Sequence, residues 1–239
     1  MRFAVCLHGG AVVRSALRLH ATDRRAIELA VAAGAEVVAI EAVGERGSAP
    51  TAATQALEAG AHRAVRVVEP ALAAADSHTT GFVLATALAG LAVDLILCGE
   101  DADPEGLGDV PATVAHHMGA LYVCGALNLD ISGAAAPAGG AVEAVEVNLR
   151  AGSWIRGLRV PFNALICLAG DATLPPRATS AAAPGQKRGG VQVLTLADLE
   201  IDAALVRRRD DLRGLIEPAP RPLVTLQSAA AVGALLRRG

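Results

Sequence analysis

Residues Val93–Thr113 read VDLILCGEDADPEGLGDVPAT, and this stretch decides the fold. Val93–Cys98 is a strand-length apolar run, Gly99 ends it, an acidic loop follows, and a helix opens near Pro111. A strand that is apolar on both faces needs cover on both sides, which is the condition of a parallel sheet. The same alternation runs outward. Arg2–Leu7, Glu36–Ile40 and Ala64–Val68 read as strands, and Leu121–Cys124 as another. Asp23–Ala33, Ala52–Ala59, His78–Leu91 and Pro111–Met118 read as the helices between them, with Asp23 as a helix N-cap and Gly34 and Gly60 as stops. Strands alternating with helices of this length make βαβ units, so residues 1–170 read as an α/β, parallel-sheet, Rossmann-like domain.

After Asp130 the texture changes. Ala141–Arg150 and Ser153–Val160 read as a hairpin around Ala151-Gly152, and Phe162–Leu168 as one more buried strand. Gly170–Gly190 is a long loop rich in Pro, Ala, Ser and Gly, a composition that serves binding more often than packing. Beyond it come a strand at Val191–Leu196, a charged run at Arg207–Arg213, a Pro-broken segment at Pro218–Pro222 and a short helix at Ser228–Arg237. Residues 171–239 thus carry little core of their own and are expected to lie on a neighbour.

Composition excludes several classes. The chain has 239 residues, 53% of them apolar and 19% charged, which supports a large core and not a disordered chain. A net charge of −3 gives no footprint for nucleic acid. The most apolar stretch, Gly81–Leu97, is interrupted by Asp94, so no membrane-spanning segment is expected. Cys6, Cys98, Cys124 and Cys167 are far apart, without CxxC or metal-ligand spacing. Free thiols in apolar segments fit a reducing compartment, and the expected location is the cytoplasm.

The chemistry-bearing loop is Cys98–Thr113. It leaves the carboxyl end of a central strand and enters a helix, where open α/β sheets bind ligands. Gly106-Leu107-Gly108-Asp109-Val110-Pro111 approaches GxGxxG but carries Pro at the third glycine and follows a loop, and no GxxxxGK[ST] exists. His8-Gly9-Gly10 has no GxSxG elbow to serve. His116 and His117, adjacent on a helix, diverge and make a poor metal pair. The carboxylates from Glu100 to Asp109 read as a solvated loop before a cation or hydrolase site. No catalytic constellation stands out, and the chain is expected to be no enzyme.

Four segments in order carry a resemblance: Asp23–Val31 (DRRAIELAV), Thr54–Val68 (TQALEAGAHRAVRVV), Asp94–Gly119 (DLILCGEDADPEGLGDVPATVAHHMG) and Arg177–Asp202 (RATSAAAPGQKRGGVQVLTLADLEID). Through them the chain resembles the β subunit of electron transfer flavoproteins over nearly its whole length, as a divergent paralogue. The resemblance implies a heterodimer with an α subunit that holds most of one FAD. It implies AMP, or a second FAD in some relatives, on the β side. The assembly carries electrons from a flavin-dependent dehydrogenase to a membrane quinone reductase or another acceptor. The AMP site it implies falls on Cys6, the turn with His20, Thr22 and Asp23, then Val43 and Gly44, then Gly99, Asp103, Gly108, Asp109 and Val110. The loop that docks dehydrogenases falls on Arg177, Ala181 and Lys187. A free-standing adenine-nucleotide sensor of the same fold is the alternative.

Three departures from the family pattern bear on these roles. His8–Leu19 stands where the family carries a hairpin insertion. Asp109 sets a carboxylate near a phosphate position, a like-charge contact costing ~1 kcal/mol, and Pro111 removes an amide donor. Ala181 occupies the docking leucine's position, forfeiting about 2–3 kcal/mol of burial.

Overall fold

The computed structural model describes residues 1–7, 19–44, 51–100, 109–130, 144–173 and 189–206. The parallel half is built from β1 (Arg2–Cys6), α1 (Ala21–Ala32), β2 (Glu36–Val43), α2 (Ala52–Glu58) and β3 (Arg63–Val68). A short 3-10 turn at Pro70–Ala74 leads into α3 (Ser77–Ala89), β4 (Leu95–Gly99) and α4 (Val110–Met118). The remaining strands are β5 (Leu121–Asp130), β6 (Ala144–Ala151), β7 (Trp154–Pro161), β8 (Ala164–Leu168) and β9 (Val191–Leu194). All nine join one sheet in the order β7-β6-β5-β8-β4-β1-β2-β3-β9, parallel throughout except for β6 against β5 and β7.

Alternation along the strands sorts the core into two faces. Phe3, Val5, Val37, Ala39, Leu95 and Leu97 pack with Ala26, Ile27 and Ala30 of α1 and Ala53 and Ala56 of α2. Ala4, Cys6, Val38, Ile40, Ile96 and Cys98 pack with Val83, Leu84 and Leu88 of α3 and Val114 of α4. The chain therefore winds outward through β1, β2 and β3 on one face, then returns on the other to place β4 beside β1. That reversal is the topological switch of a doubly wound α/β fold, and it opens a crevice between the carboxyl ends of β1 and β4.

Local chemistry sets the element ends. Thr51 caps α2 by accepting from the Thr54 N–H at 3.2 Å, and Asp76 caps α3 by accepting from Thr79 N–H at 2.8 Å. Gly119 ends α4 with φ +61, a left-handed residue that costs glycine nothing. Asp23 corrects its expected role: α1 begins two residues earlier, at Ala21, with His20 at the N-cap, and Asp23 is the third helical residue. The reason is tertiary, since the Asp23 carboxylate is used across the sheet by β4.

The expected hairpin forms as β6–β7, but its turn is Gly152-Ser153, one residue later than Ala151-Gly152, because Ala151 still pairs with Trp154; Gly152 supplies the positive φ of +63 that a tight hairpin turn needs. The next strand is buried, as expected. β8 does not follow the hairpin outward; it returns to lie between β4 and β5, parallel to both. β5 meets it with a bulge at Gly125, φ +79, where the register shifts between Cys124 and Ala126. The expected strand at 191–196 is β9, four residues long, on the outer edge against β3.

Candidate functional site

The crevice at the switch point brings together residues that are distant in sequence. Gly99 ends β4 directly beneath the first turn of α1. Its N–H donates to Asp23 Oδ1 at 3.3 Å, and Thr22 Oγ1 donates to the Glu100 carbonyl at 3.4 Å. His20 Nδ1 and Thr22 Oγ1 hydrogen-bond at 2.7 Å, the direction set by the imidazole tautomer. A Cβ at residue 99 would run into Thr22 and come within 2.9 Å of Asp23 Oδ1. Glycine is thus required here so that helix and strand can approach each other.

Burial divides the roles. Thr22 and Asp23 are buried and face the protein, forming a latch between α1 and β4. His20 and Glu100 are exposed at the rim. Glu100 also accepts from the Gly170 N–H at 3.2 Å, tying the end of β4 to the end of β8. The Cys6 side chain lies among the α3–α4 core, so its backbone is what reaches the crevice. Val43 and Gly44 are half-buried at the end of β2, and Gly44 sits against Ala73, whose Cα would be 2.6 Å from any Cβ placed there. Asp109 is exposed at the start of α4 and Val110 half-buried; Thr113 donates to the Asp109 carbonyl at 2.9 Å. Asp103 and Gly108, and Arg177, Ala181 and Lys187, lie outside the described residues.

A buried charge pair missed by sequence reasoning supports this face. Glu41 on β2 and Arg66 on β3 are register partners and form an ion pair that excludes water. Burial pushes the Glu41 carboxyl up, the Arg66 guanidinium opposes the shift, and Asp23 adds repulsion. The available signal was one acid and one base placed at matching depth inside otherwise apolar strands.

Among the described residues, no group of three or more His, Cys, Asp or Glu is arranged to hold a metal ion. His78 and His117 stack edge to face at 5.0 Å, His117 also touching Phe82. No helix among the described residues is long and apolar enough to cross a membrane. Tested against an adenine nucleotide, the described rim fits the nucleoside end: His20 offers an aromatic ring, and Glu100 offers acceptors of the kind that hold ribose hydroxyls. Of the described cations, Arg66 is engaged by Glu41, and Arg25 of α1 donates to the Gly170 carbonyl at 2.5 Å.

Sheet order defines an α/β protein of the doubly wound, Rossmann-like class. The chain belongs to the electron transfer flavoprotein domain family, whose profile matches residues 10–199. Members of that family act in electron transfer as flavoprotein components. No curated protein matches the chain.

Proposed function

We propose that this chain is the β-type subunit of a heterodimeric electron transfer flavoprotein. The family match over residues 10–199 carries the reading. An exposed apolar end to the hairpin supports a protein partner: Trp154 is 78% and Ile155 70% exposed, next to a half-exposed Leu158. FAD, held mostly by the α-type subunit, supplies the reversible electron storage. The pair carries electrons from a flavin-dependent dehydrogenase to a membrane quinone reductase or another acceptor, and turns over no substrate itself.

Within the β-type subunit, AMP occupies the switch-point crevice. His20, Val43, Gly44, Asp109 and Val110 frame it, Cys6, Thr22, Asp23 and Gly99 form its floor, and Asp103 and Gly108 lie on the segment joining floor to helix. Within 171–239, the stretch 191–206 packs on the sheet; the rest serves recognition of the α-type subunit and the dehydrogenase, with Arg177 and Lys187 as charges and Ala181 in a docking position shortened for a dedicated dehydrogenase.

Co-expression with an α-type subunit, followed by size exclusion at protein and flavin wavelengths, tests the reading. The expected product is a yellow 1:1 heterodimer that releases FAD and AMP on denaturation. Trp154→Ser combined with Ile155→Ser should weaken co-elution without unfolding the chain. A colourless homodimer that releases only adenine nucleotide overturns the carrier reading in favour of a free-standing sensor.

A further inference from the structure

The four cysteines of the chain, unrelated in sequence spacing, form one row across the sheet. Cys6 is the register partner of Cys98, Cys98 of Cys167, and Cys167 of Cys124. In-register neighbours on parallel strands point to the same face, so the row crosses β1, β4, β8 and β5 beneath α3 and α4. Cys6, Cys98 and Cys167 are buried, and Cys124, at the outer end, is exposed. Solvent therefore reaches the row at one sulfur.

Geometry singles out the outer pair. Neighbouring strands run about 4.8 Å apart, within the Cα separation a disulfide spans. Cys124 and Cys167 are in-register neighbours whose side chains share one face, with Tyr122 two residues before Cys124 on that same face. The bulge at Gly125 follows Cys124 directly, and the backbone there can shift to bring the Cβ atoms to bonding distance. On its other side, Cys167 Sγ donates to the Gly99 carbonyl at 3.5 Å, which places this sulfur one hydrogen bond below the floor of the crevice.

We propose that Cys124 and Cys167 form a reversible disulfide when the chain meets a peroxide, with Cys124 the sulfur oxidised first. The Cys124 thiol takes one oxygen of hydrogen peroxide; the O–O bond breaks, and cysteine sulfenic acid and one water result. The Cys167 sulfur then attacks the Cys124 sulfur. The S–S bond forms, the S–O bond breaks, and the leaving hydroxide departs as water with the Cys167 proton. Two thiols and one peroxide thus give one disulfide and two waters, the peroxide accepting the two electrons. Burial, reinforced by Cys124, pushes the Cys167 thiol up and keeps it protonated, so peroxide does not attack it directly and closure of the bond is slow. Closure withdraws the sulfur donor from the Gly99 carbonyl and so couples oxidation to the crevice floor.

The test uses the full chain, reduced, freed of reductant, treated with hydrogen peroxide, alkylated and digested. Cleavage must fall at acidic residues, because no Lys or Arg separates Cys98 from Cys124 between Arg66 and Arg150. The expected result is a Cys124–Cys167 cross-linked peptide pair that dithiothreitol abolishes and that Cys124→Ser lacks, with Cys167 then recovered as a free thiol. Cys167→Ala should instead accumulate sulfenic acid at Cys124, trapped by dimedone. Recovery of oxidised Cys124 beside a free Cys167 in the unmutated chain overturns the proposal, as does a cross-link that contains Cys98. The unmutated chain decides the matter even where Cys167→Ala fails to fold.

Discussion

β7 and β8 are consecutive strands of one sheet, separated by two residues, and they occupy opposite environments. Every residue of β8 is buried, whereas in β7 only Val160 is. Ile166 is 0% exposed between helix-covered layers; Ile155 is 70% exposed on an edge strand. The difference teaches that the parallel block holds the stability of the fold. The hairpin anchors to the core through Val145, Val147 and Val160, while the apolar residues at its far end, Trp154 and Ile155, stay exposed.

The comparison breaks most visibly by truncating the two isoleucines. Ile166→Ala should lower the free energy of unfolding by about 3–4 kcal/mol, through lost transfer energy plus the cavity left behind. Ile155→Ala should change it by less than ~0.5 kcal/mol. Urea denaturation of the two variants is the measurement, and equal losses would refute the division of labour.

Arg66→Met tests the charged part of the block. Removing the guanidinium strands the buried Glu41 carboxylate, a loss of about 3 kcal/mol near neutral pH. The sign with pH follows from the raised Glu41 pKa. A carboxyl raised in the fold contributes stability that is complete below its unfolded pKa, near 4.5, and that is lost as pH rises through the folded value. Without Arg66 the pKa rises further, so the deficit of the variant should shrink as the pH is lowered from neutral toward 4.5. A deficit that is flat across a series of urea midpoints over this window would show that Glu41 does not carry it.

Gly99→Ala is next in size. The new methyl collides with the first turn of α1, and about 2 kcal/mol should be lost as helix and strand separate. Because the collision is at the crevice floor, adenine-nucleotide affinity by calorimetry should fall with it. The smallest effect is Asp76→Ala, which removes one helix cap and should cost ~1 kcal/mol in the same denaturation assay, with the sheet unaffected.

The parallel block was legible because its signals are local. Val93–Cys98 reads as a strand from its own residues, and the passage from strand to loop to helix needs nothing beyond the spacing of apolar and capping residues. His20, Thr22, Asp23 and Gly99 were assigned to one site by the family resemblance, with which the rule that ligands sit at carboxyl strand ends agrees. Their side chains are another matter. Asp23 reads locally as an N-cap, and only the strand arriving from 76 residues away turns its carboxylate into a latch for the Gly99 amide.

By itself, the sequence determined the alternation of strands and helices, the hairpin and the family to which the chain belongs, since each rests on periodicity, turn chemistry or ordered motifs along the chain. Tertiary structure alone decided where β8 inserts and which residues meet across strands. The paired Glu41 and Arg66 and the row of four cysteines exist only through lateral register. Register is set by how whole strands bury their faces against α1, α2, α3 and α4, and no local spacing in the chain encodes it.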